Sequence, residues 1–378
     1  MYLSEEHRMI RAMAREFAEK EIKKEAADND KNHRFPKELI KKIGELGLMG
    51  VAIPEKYGGS GLDSLAYAVA MEEISRGCAG TSVIMSVNNS LVGEPLLKYG
   101  TEEQKQQYLK PVASGKKIGC FMLSEPQAGS DATNQKTRAI DKGDYYLLNG
   151  TKNFITNGPQ ADIGLVFAVT DPDQGTKGVS AFIVEKDFEG YRIGKSDEKL
   201  GITCSGTCQI HFDNCRVPHK NLLCEKGMGL KVAFSTLDYG RIGIAAQAVG
   251  IAQAAMEASV GYAQERKAFG KVIGEYQAIQ WMLANMATKI DASRLLMYEA
   301  AHLKDQGKPF SVAAAKAKLF ASETAVHTTT DAIQIFGGYG YMKDYPVEKY
   351  FRDAKITQIY EGTSEIQRIV IARSLLKQ

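Results

Sequence analysis

No stretch of the 378 residues approaches the roughly 20 uninterrupted apolar residues that a membrane span requires, so no membrane partner is expected. The start of the chain has neither the apolar core of a secretory signal nor the acid-poor, Ser-rich character of a transit peptide. Ser4-Glu5-Glu6-His7-Arg8 is already amphipathic, and a cytoplasmic or already processed protein is expected. Charge of one sign is also scarce. The net charge is +3, and Lys and Arg alternate with Asp and Glu through segments such as Glu16 to Glu25, which makes nucleic acid an unnatural partner. The six cysteines include no Cys-x-x-Cys pair and have no companion His-x-x-x-His. No metal site is expected; buried free thiols in a reducing compartment are. No Gly-x-Gly-x-x-Gly follows a predicted strand, and neither Gly-x-Ser-x-Gly nor His-Glu-x-x-His occurs. Gly190 to Ser196 resembles a P-loop but is one residue short, with Glu189 where the first glycine belongs, and reads as a β-turn. Nucleotide-fold, hydrolase and metalloenzyme readings lose most of their support.

What is present is enough apolar material, 44% of residues, for two or three substructures and a large enclosed ligand. Met9, Ile10, Met13, Ala14 and Phe17 recur at helical spacing after a Ser4 cap. Pro36 opens a second helix that Gly47 closes, and Thr101-Glu102-Glu103-Gln104 has the capping-box pattern. From Lys117 the apolar residues come instead in short runs separated by Gly, Asp, Asn and Pro: Ile118 to Leu123, Tyr145 to Leu148, Ile163 to Val169, Val179 to Val184 and Cys208 to Phe212. After Gly229 long alanine-rich helical segments return, broken near Gly270 to Gly274, Gly307 to Pro309 and Gly337 to Gly340. The expected organisation is an α-helical domain over residues 1–116, a β domain over 117–224 and a helical bundle over 225–378. The surplus apolar helix faces predict an oligomer.

Several segments cluster polar and small residues beyond what a helix or strand needs. Leu123-Ser124-Glu125-Pro126-Gln127-Ala128-Gly129-Ser130-Asp131 forces an exposed loop rich in hydroxyls and amides at a strand end. In Lys152 to Gly158, Phe154 either stacks on a planar ring or sits in the core. Arg266-Lys267-Ala268-Phe269-Gly270 and Gln334-Ile335-Phe336-Gly337-Gly338 pair a cation with glycines that let backbone amides approach a phosphate; equally, they read as a solvated Arg and a helix terminator. In Tyr360-Glu361-Gly362-Thr363-Ser364-Glu365, Thr363 or Ser364 caps a final helix. Glu361 either complements that helix's dipole or serves as a base whose pKa desolvation raises.

In this order, and over essentially the whole chain, these segments resemble the acyl-CoA dehydrogenase family, and the Tyr-Glu-Gly-Thr turn is similar to that of its short- and medium-chain members. The resemblance implies an α+β, mostly α fold: an N-terminal helical domain, a middle β-barrel and a C-terminal four-helix bundle, assembled as a homotetramer with one FAD per subunit. It implies that Phe121, Met122, Leu123, Ser124, Gly129, Ser130, Phe154, Ile155 and Thr156 hold the flavin. Arg266, Phe269, Gln277, Gln334, Ile335, Phe336, Gly337 and Gly338 would serve the pyrophosphate and adenosine across a subunit interface, with Thr363, Ser364 and Glu365 completing the site. Ser130, Asp238, Tyr239, Gly240, Arg241 and Gly362 would contact the acyl-CoA.

By the same resemblance, Glu361 removes the α-proton while the β-hydrogen leaves as hydride to flavin N5. The products are a trans-2-enoyl-CoA and reduced FAD, and electron-transfer flavoprotein is the implied electron partner. Some relatives carry the base immediately before the arginine that matches Arg241; here that position is Gly240, which leaves the C-terminal glutamate. Phe154 replaces the usual tryptophan, and Ser82 stands where dicarboxylate-accepting members have arginine, which disfavours glutaryl-CoA. The similarity leans toward acyl chains of roughly four carbons, with no physical rule deciding it. Glu94 reads as a surface or helix-start residue. An enoyl-CoA reductase running the reverse reaction and a non-catalytic flavin-fold scaffold are the alternatives.

Overall fold

The computed structural model describes residues 3–376. Helix α1 (Glu5–Phe17) begins as its sequence predicts: the Ser4 hydroxyl accepts the His7 N–H at 3.3 Å and His7 Nδ1 accepts the Ser4 N–H at 3.0 Å. Its apolar stripe buries Ile10 and Ala14, and α2 (Lys37–Glu45) buries Leu39, Ile40 and Ile43. Helix α3 (Ser64–Gly77) is buried all round, charged residues included, and α4 (Ala79–Ser86) continues it after a break at Cys78. The buried carboxylates of α3 are matched from outside. Glu73 accepts from Arg11 Nε at 2.9 Å and Arg15 Nε at 3.0 Å, and Glu72 from Arg294 Nε at 2.9 Å. A π-helical stretch, Val87–Gly93, follows α4 and is also buried.

Eight strands form the middle sheet: β1 (Gly119–Met122), β2 (Arg138–Asp141), β3 (Tyr145–Thr156), β4 (Ile163–Val169), β5 (Val179–Glu185), β6 (Tyr191–Ser196), β7 (Thr207–Pro218) and β8 (Leu222–Leu223). Their order is β6-β7-β3-β2-β4-β5-β8, with β1 parallel to β4. The sheet wraps a core of its own. Cys120, Tyr146, Leu148, Val166, Phe182, Ile210 and Val217, drawn from five strands, pack in one cluster. Its other face packs against the helices through Leu165, Phe167, Ala181 and Ile183. Gly190 to Ser196 is therefore not a free turn: residues 191–196 are strand β6, paired with β7, and this corrects the sequence expectation. Only two of the six residues of β6 are even half-buried, so it lacks the apolar alternation that marks a strand. Strand β2 escapes for a similar reason, since only Ala139 faces the core.

The C-terminal bundle is built from α5 (Gly229–Glu265), α6 (Gln277–Asp305) and α7 (Ser311–Phe336), completed by α8 (Val347–Ile356) and α9 (Ser364–Leu375). Ala245, Ala248, Ala252 and Ala255 of α5 share one core with Ala314, Ala317, Ala321 and Ala325 of α7; small side chains at this spacing let the two helices lie close. Among the described residues no helix is long and apolar enough to cross a membrane. Five cysteines are buried as expected, whereas Cys224 is partly exposed because it leaves β8 in a left-handed turn.

Candidate active site

The end of the bundle, the π stretch and the ends of β1 and β3 meet around a cleft of about 190 Å³. Val83, Val87, Leu91 and Leu237 form its apolar wall; Ser124, Ser130, Phe154 and Thr156 form its rim; Arg241 and Glu361 close it.

Glu361 and Gly362 occupy consecutive left-handed positions, φ 51° and 93°, in the turn between α8 and α9. A glutamate there is strained by about 1–3 kcal/mol and persists only when its surroundings hold it. Here they do. Lys318 Nζ donates to the Gly362 carbonyl at 2.7 Å and Gln367 Nε2 to the same oxygen at 2.8 Å; Tyr360 donates its hydroxyl to Gln247; and Thr363 caps α9 by accepting the Ile366 N–H at 3.3 Å. The turn aims the Glu361 carboxylate at α5, where position 240 has no side chain. A Cβ at Gly240 would lie 2.0 Å from Glu361 Oε2.

The residue is partly exposed as a whole, yet Oε2 is shut from solvent and has no hydrogen-bond partner among the described residues. Burial pushes the carboxyl up to about 8, against the opposing pull of Lys318 and Arg241. Burial likewise lowers Lys318 to about 7, with Glu361 resisting. Burial thus works against both charges of this pair, and each favours the charged form of the other. Arg241 is buried, pairs with Asp238 at 2.6 Å, and has no partner for its Nε among the described residues.

The rim fits a large planar polar group such as a flavin. Phe154 is 70% exposed at φ 58°, turned outward by a bulge in the β3–β7 pairing between Lys152 and Ile155. The hydroxyls of Ser124, Ser130 and Thr156 make no hydrogen bond to the described residues, and a Cβ at Gly129 would meet open space. Behind the rim lies a buried ion pair. Lys152 Nζ donates to Glu125 at 2.8 Å, to Gln135 at 3.2 Å and to the Leu123 carbonyl at 3.3 Å, while Glu125 accepts the Lys136 and Thr137 N–H groups at 2.7 and 3.1 Å. Burial works against the Glu125 charge, but Lys152 and these amides hold the carboxyl down at about 2. The strand-end loop is thus fixed from beneath.

The structure gathers Phe121, Leu123, Ser124, Gly129, Ser130, Phe154, Ile155, Thr156, Arg241, Glu361 and Gly362 at this cleft. Met122 is buried behind it, and Tyr239 packs away from it, against Tyr67 and beneath the Lys304 ammonium. Asp238 is taken up by Arg241 and Ser311, while Thr363, Ser364 and Glu365 form the adjoining helix start. Glu94 opens a short helix and pairs with Lys304 at 3.2 Å. Arg266, Ile335, Phe336, Gly337 and Gly338 line a separate cleft of about 510 Å³, with Arg266 over the Tyr339 ring, and Phe269, Gln277 and Gln334 face solvent. Within one chain this second group does not meet Glu361. Lys318 and the Glu125–Lys152 pair escaped sequence reading. Lys318 did leave a signal: it falls on the stripe Ala314, Ala321, Ala325, where a lysine has no place in a solvated face.

The sequence matches family profiles described as acyl-CoA dehydrogenase N-terminal domain over residues 4–116, middle domain over 120–215 and C-terminal domain over 227–376. It is 54% identical over 375 residues to the short-chain specific acyl-CoA dehydrogenase of Rattus norvegicus mitochondria, covering 99% of this chain and 91% of that one. It is 48% identical over 377 residues to the 3-(aryl)acrylate reductase of Clostridium sporogenes, covering 100% of each. A chain solved in work on the electron transferring flavoprotein of Acidaminococcus fermentans and flavin-based electron bifurcation superposes with a TM-score of 0.98 at 54% identity. That match covers 100% of this chain and 99% of the other.

Proposed function

Because the chain belongs to the acyl-CoA dehydrogenase family, we propose that Glu361 is the base that removes the α-proton of a short-chain acyl-CoA on its way to the trans-2-enoyl-CoA. The observation that carries this reading is the Glu361 carboxylate itself, shut from water at Oε2, unpartnered, and raised to about 8 at the closed end of the cleft. A carboxylate of raised pKa is a stronger base, better matched to a weakly acidic carbon. FAD, held by Phe121 to Ser130 and Phe154 to Thr156, supplies the acceptor for the β-hydrogen when bound.

The chain's own groups account for the remaining requirements. The Glu361 backbone N–H makes no hydrogen bond within the described residues and is free to donate to a thioester carbonyl. One preorganised donor of this kind contributes about 3–4 kcal/mol to stabilising a developing oxyanion. Arg241 and Lys318 keep a positive field beside the turn without neutralising the carboxylate by direct contact. Val83, Val87, Leu91 and Leu237 make the acyl end apolar, and the 54% identity to a short-chain specific relative supports a short chain of roughly four carbons.

The expected electron partner is electron-transfer flavoprotein, consistent with the setting in which the 54% identical chain was solved. The likeness to an acrylate reductase favours a second reading of direction only: run in reverse, the protonated Glu361 returns a proton to the α-carbon. The working assembly is a homotetramer in which the Arg266 and Gln334 to Gly338 segments of one subunit complete the cofactor site of another.

The test is anaerobic bleaching of the purified yellow enzyme by butyryl-CoA. Glu361→Gln should retain its flavin spectrum but bleach at least about 10²-fold more slowly, the usual contribution of a general base. Bleaching at the unaltered rate would mean another group takes the proton.

A further inference from the structure

Away from the active site, a cleft of about 770 Å³ runs between the first helices and α8, with Gly77, Thr203, Lys349 and Tyr350 in its wall. Directly behind that wall lie two thiols. Cys78 sits at the break between α3 and α4, and Cys204 in the loop joining β6 to β7. Their Sγ atoms are 3.9 Å apart and both are buried, although the residues are 126 positions apart in sequence. The start of α4 admits the Cys204 sulfur only because residue 80 is glycine: a Cβ there would lie 2.4 Å from it.

A cation is built into the same spot. Lys349 Nζ lies 3.7 Å from Cys78 Sγ and 2.5 Å from Asp353 Oδ2, and Asp353 Oδ1 takes the Ile202 N–H at 2.5 Å, which fixes the loop that carries Cys204. None of these residues takes part in the proposed dehydrogenation.

We propose that Cys78 and Cys204 are an oxidisable dithiol, Cys78 attacking and Cys204 resolving, which hydrogen peroxide diffusing into the cleft converts to a disulfide between the helical and β domains. The Cys78 thiolate sulfur attacks one peroxide oxygen, the O–O bond breaks, and hydroxide leaves as water after protonation. The sulfenic acid so formed is attacked by the Cys204 sulfur; the S–O bond breaks, the S–S bond forms, and a second water leaves. Two thiols lose two electrons, and one peroxide gains them. The roles of the two sulfurs follow from their surroundings. The contact with Cys204, together with the Lys349 ammonium at 3.7 Å, holds the Cys78 thiol well below its ordinary value despite burial. The same contact, with burial added, pushes Cys204 up. Closing from 3.9 Å to the roughly 2.05 Å of a disulfide needs rotation of two short side chains and a small loop shift.

The experiment treats the purified full-length holoenzyme with hydrogen peroxide, alkylates under denaturing conditions and maps the peptides. A peptide pair linked through Cys78 and Cys204 is expected, with two of the six thiols lost to alkylation and restored by dithiothreitol. In Cys204→Ser, dimedone should trap a sulfenic acid on Cys78; in Cys78→Ser it should leave Cys204 unlabelled. The proposal is overturned if both thiols stay alkylatable after peroxide while the more exposed Cys224 is oxidised, or if dimedone labels Cys204 in the absence of Cys78.

Discussion

At the scale of single residues, Glu361 shows how a folded chain raises an ordinary carboxylate into the range a general base needs. Its left-handed backbone points the side chain away from solvent, and the absent side chain at Gly240 leaves room for it. Burial then raises it to about 8, while Lys318 and Arg241 limit the rise. The pH dependence follows from that sign. The proposed base acts only when unprotonated, so kcat/KM for butyryl-CoA should fall as pH drops through about 8 and level off above it. Initial rates from pH 6 to 9.5 at fixed ionic strength check this; a profile flat across that range would contradict it. Lys318 is a positioning residue, because it acts through the Gly362 carbonyl. Lys318→Met removes both a cation that lowers the Glu361 pKa and a donor that holds the turn. The limb should move to higher pH and kcat should fall about tenfold; a change in Tm with no movement of the limb would reduce Lys318 to a structural role.

At the scale of elements, the cleft depends on how α5, β3 and the strand-end loop are fixed. Gly240 on α5 faces the flexible end of Glu361, so Gly240→Ala should fold with little change in Tm yet displace the carboxylate. A displacement of about 1 Å costs on the order of 10²-fold in rate, and an active Gly240→Ala would mean that the carboxylate swings in from elsewhere. The Glu125–Lys152 pair sits in a different balance. Lys152→Met leaves the Glu125 charge buried without its cation, and urea unfolding should show a loss of about 3–5 kcal/mol. Glu125 is held at about 2 in the folded protein, below its ordinary value of 4.5, so its contribution is present above about pH 4.5 and is lost as pH falls toward 2. The loop resting on this pair was legible in the sequence from its Pro126, Gly129 and hydroxyls; the pair itself was not, because 27 residues separate two charges that each read as surface residues. Local signals, such as the Ser4 and Thr101 caps and the glycine breaks between helices, came through for the same reason that distant pairs did not: a cap is satisfied within four residues. The π turn that carries Leu91 into the cleft wall had no such signature.

At the scale of the whole molecule, one chain leaves several large apolar side chains uncovered. Phe269 is 97% exposed at φ 52° and Tyr341 is 84% exposed, Met342 lies half-uncovered in the wall of the Arg266 and Gly337 cleft, and Trp281 is also largely uncovered; none of the four lines the Glu361 cleft. Covering one such ring contributes about 1.5–3 kcal/mol, so leaving several open would waste much of a domain's net stability. The Arg266 and Gln334 to Gly338 motifs read in the sequence either as phosphate-facing or as a solvated Arg and a helix terminator, and a sequence cannot say whether a ligand they serve sits in another copy. If it does, assembly and cofactor retention are one property. Light scattering on the wild-type enzyme should give four copies of the 41.4 kDa chain. Phe269→Asp combined with Tyr341→Asp should reduce the assembly order and the bound FAD together, without changing the buried Glu361 turn, and added FAD should not restore full occupancy to the dissociated chains. Dissociated chains that kept one FAD each would place the whole cofactor site within a single subunit and leave the exposed rings without that purpose.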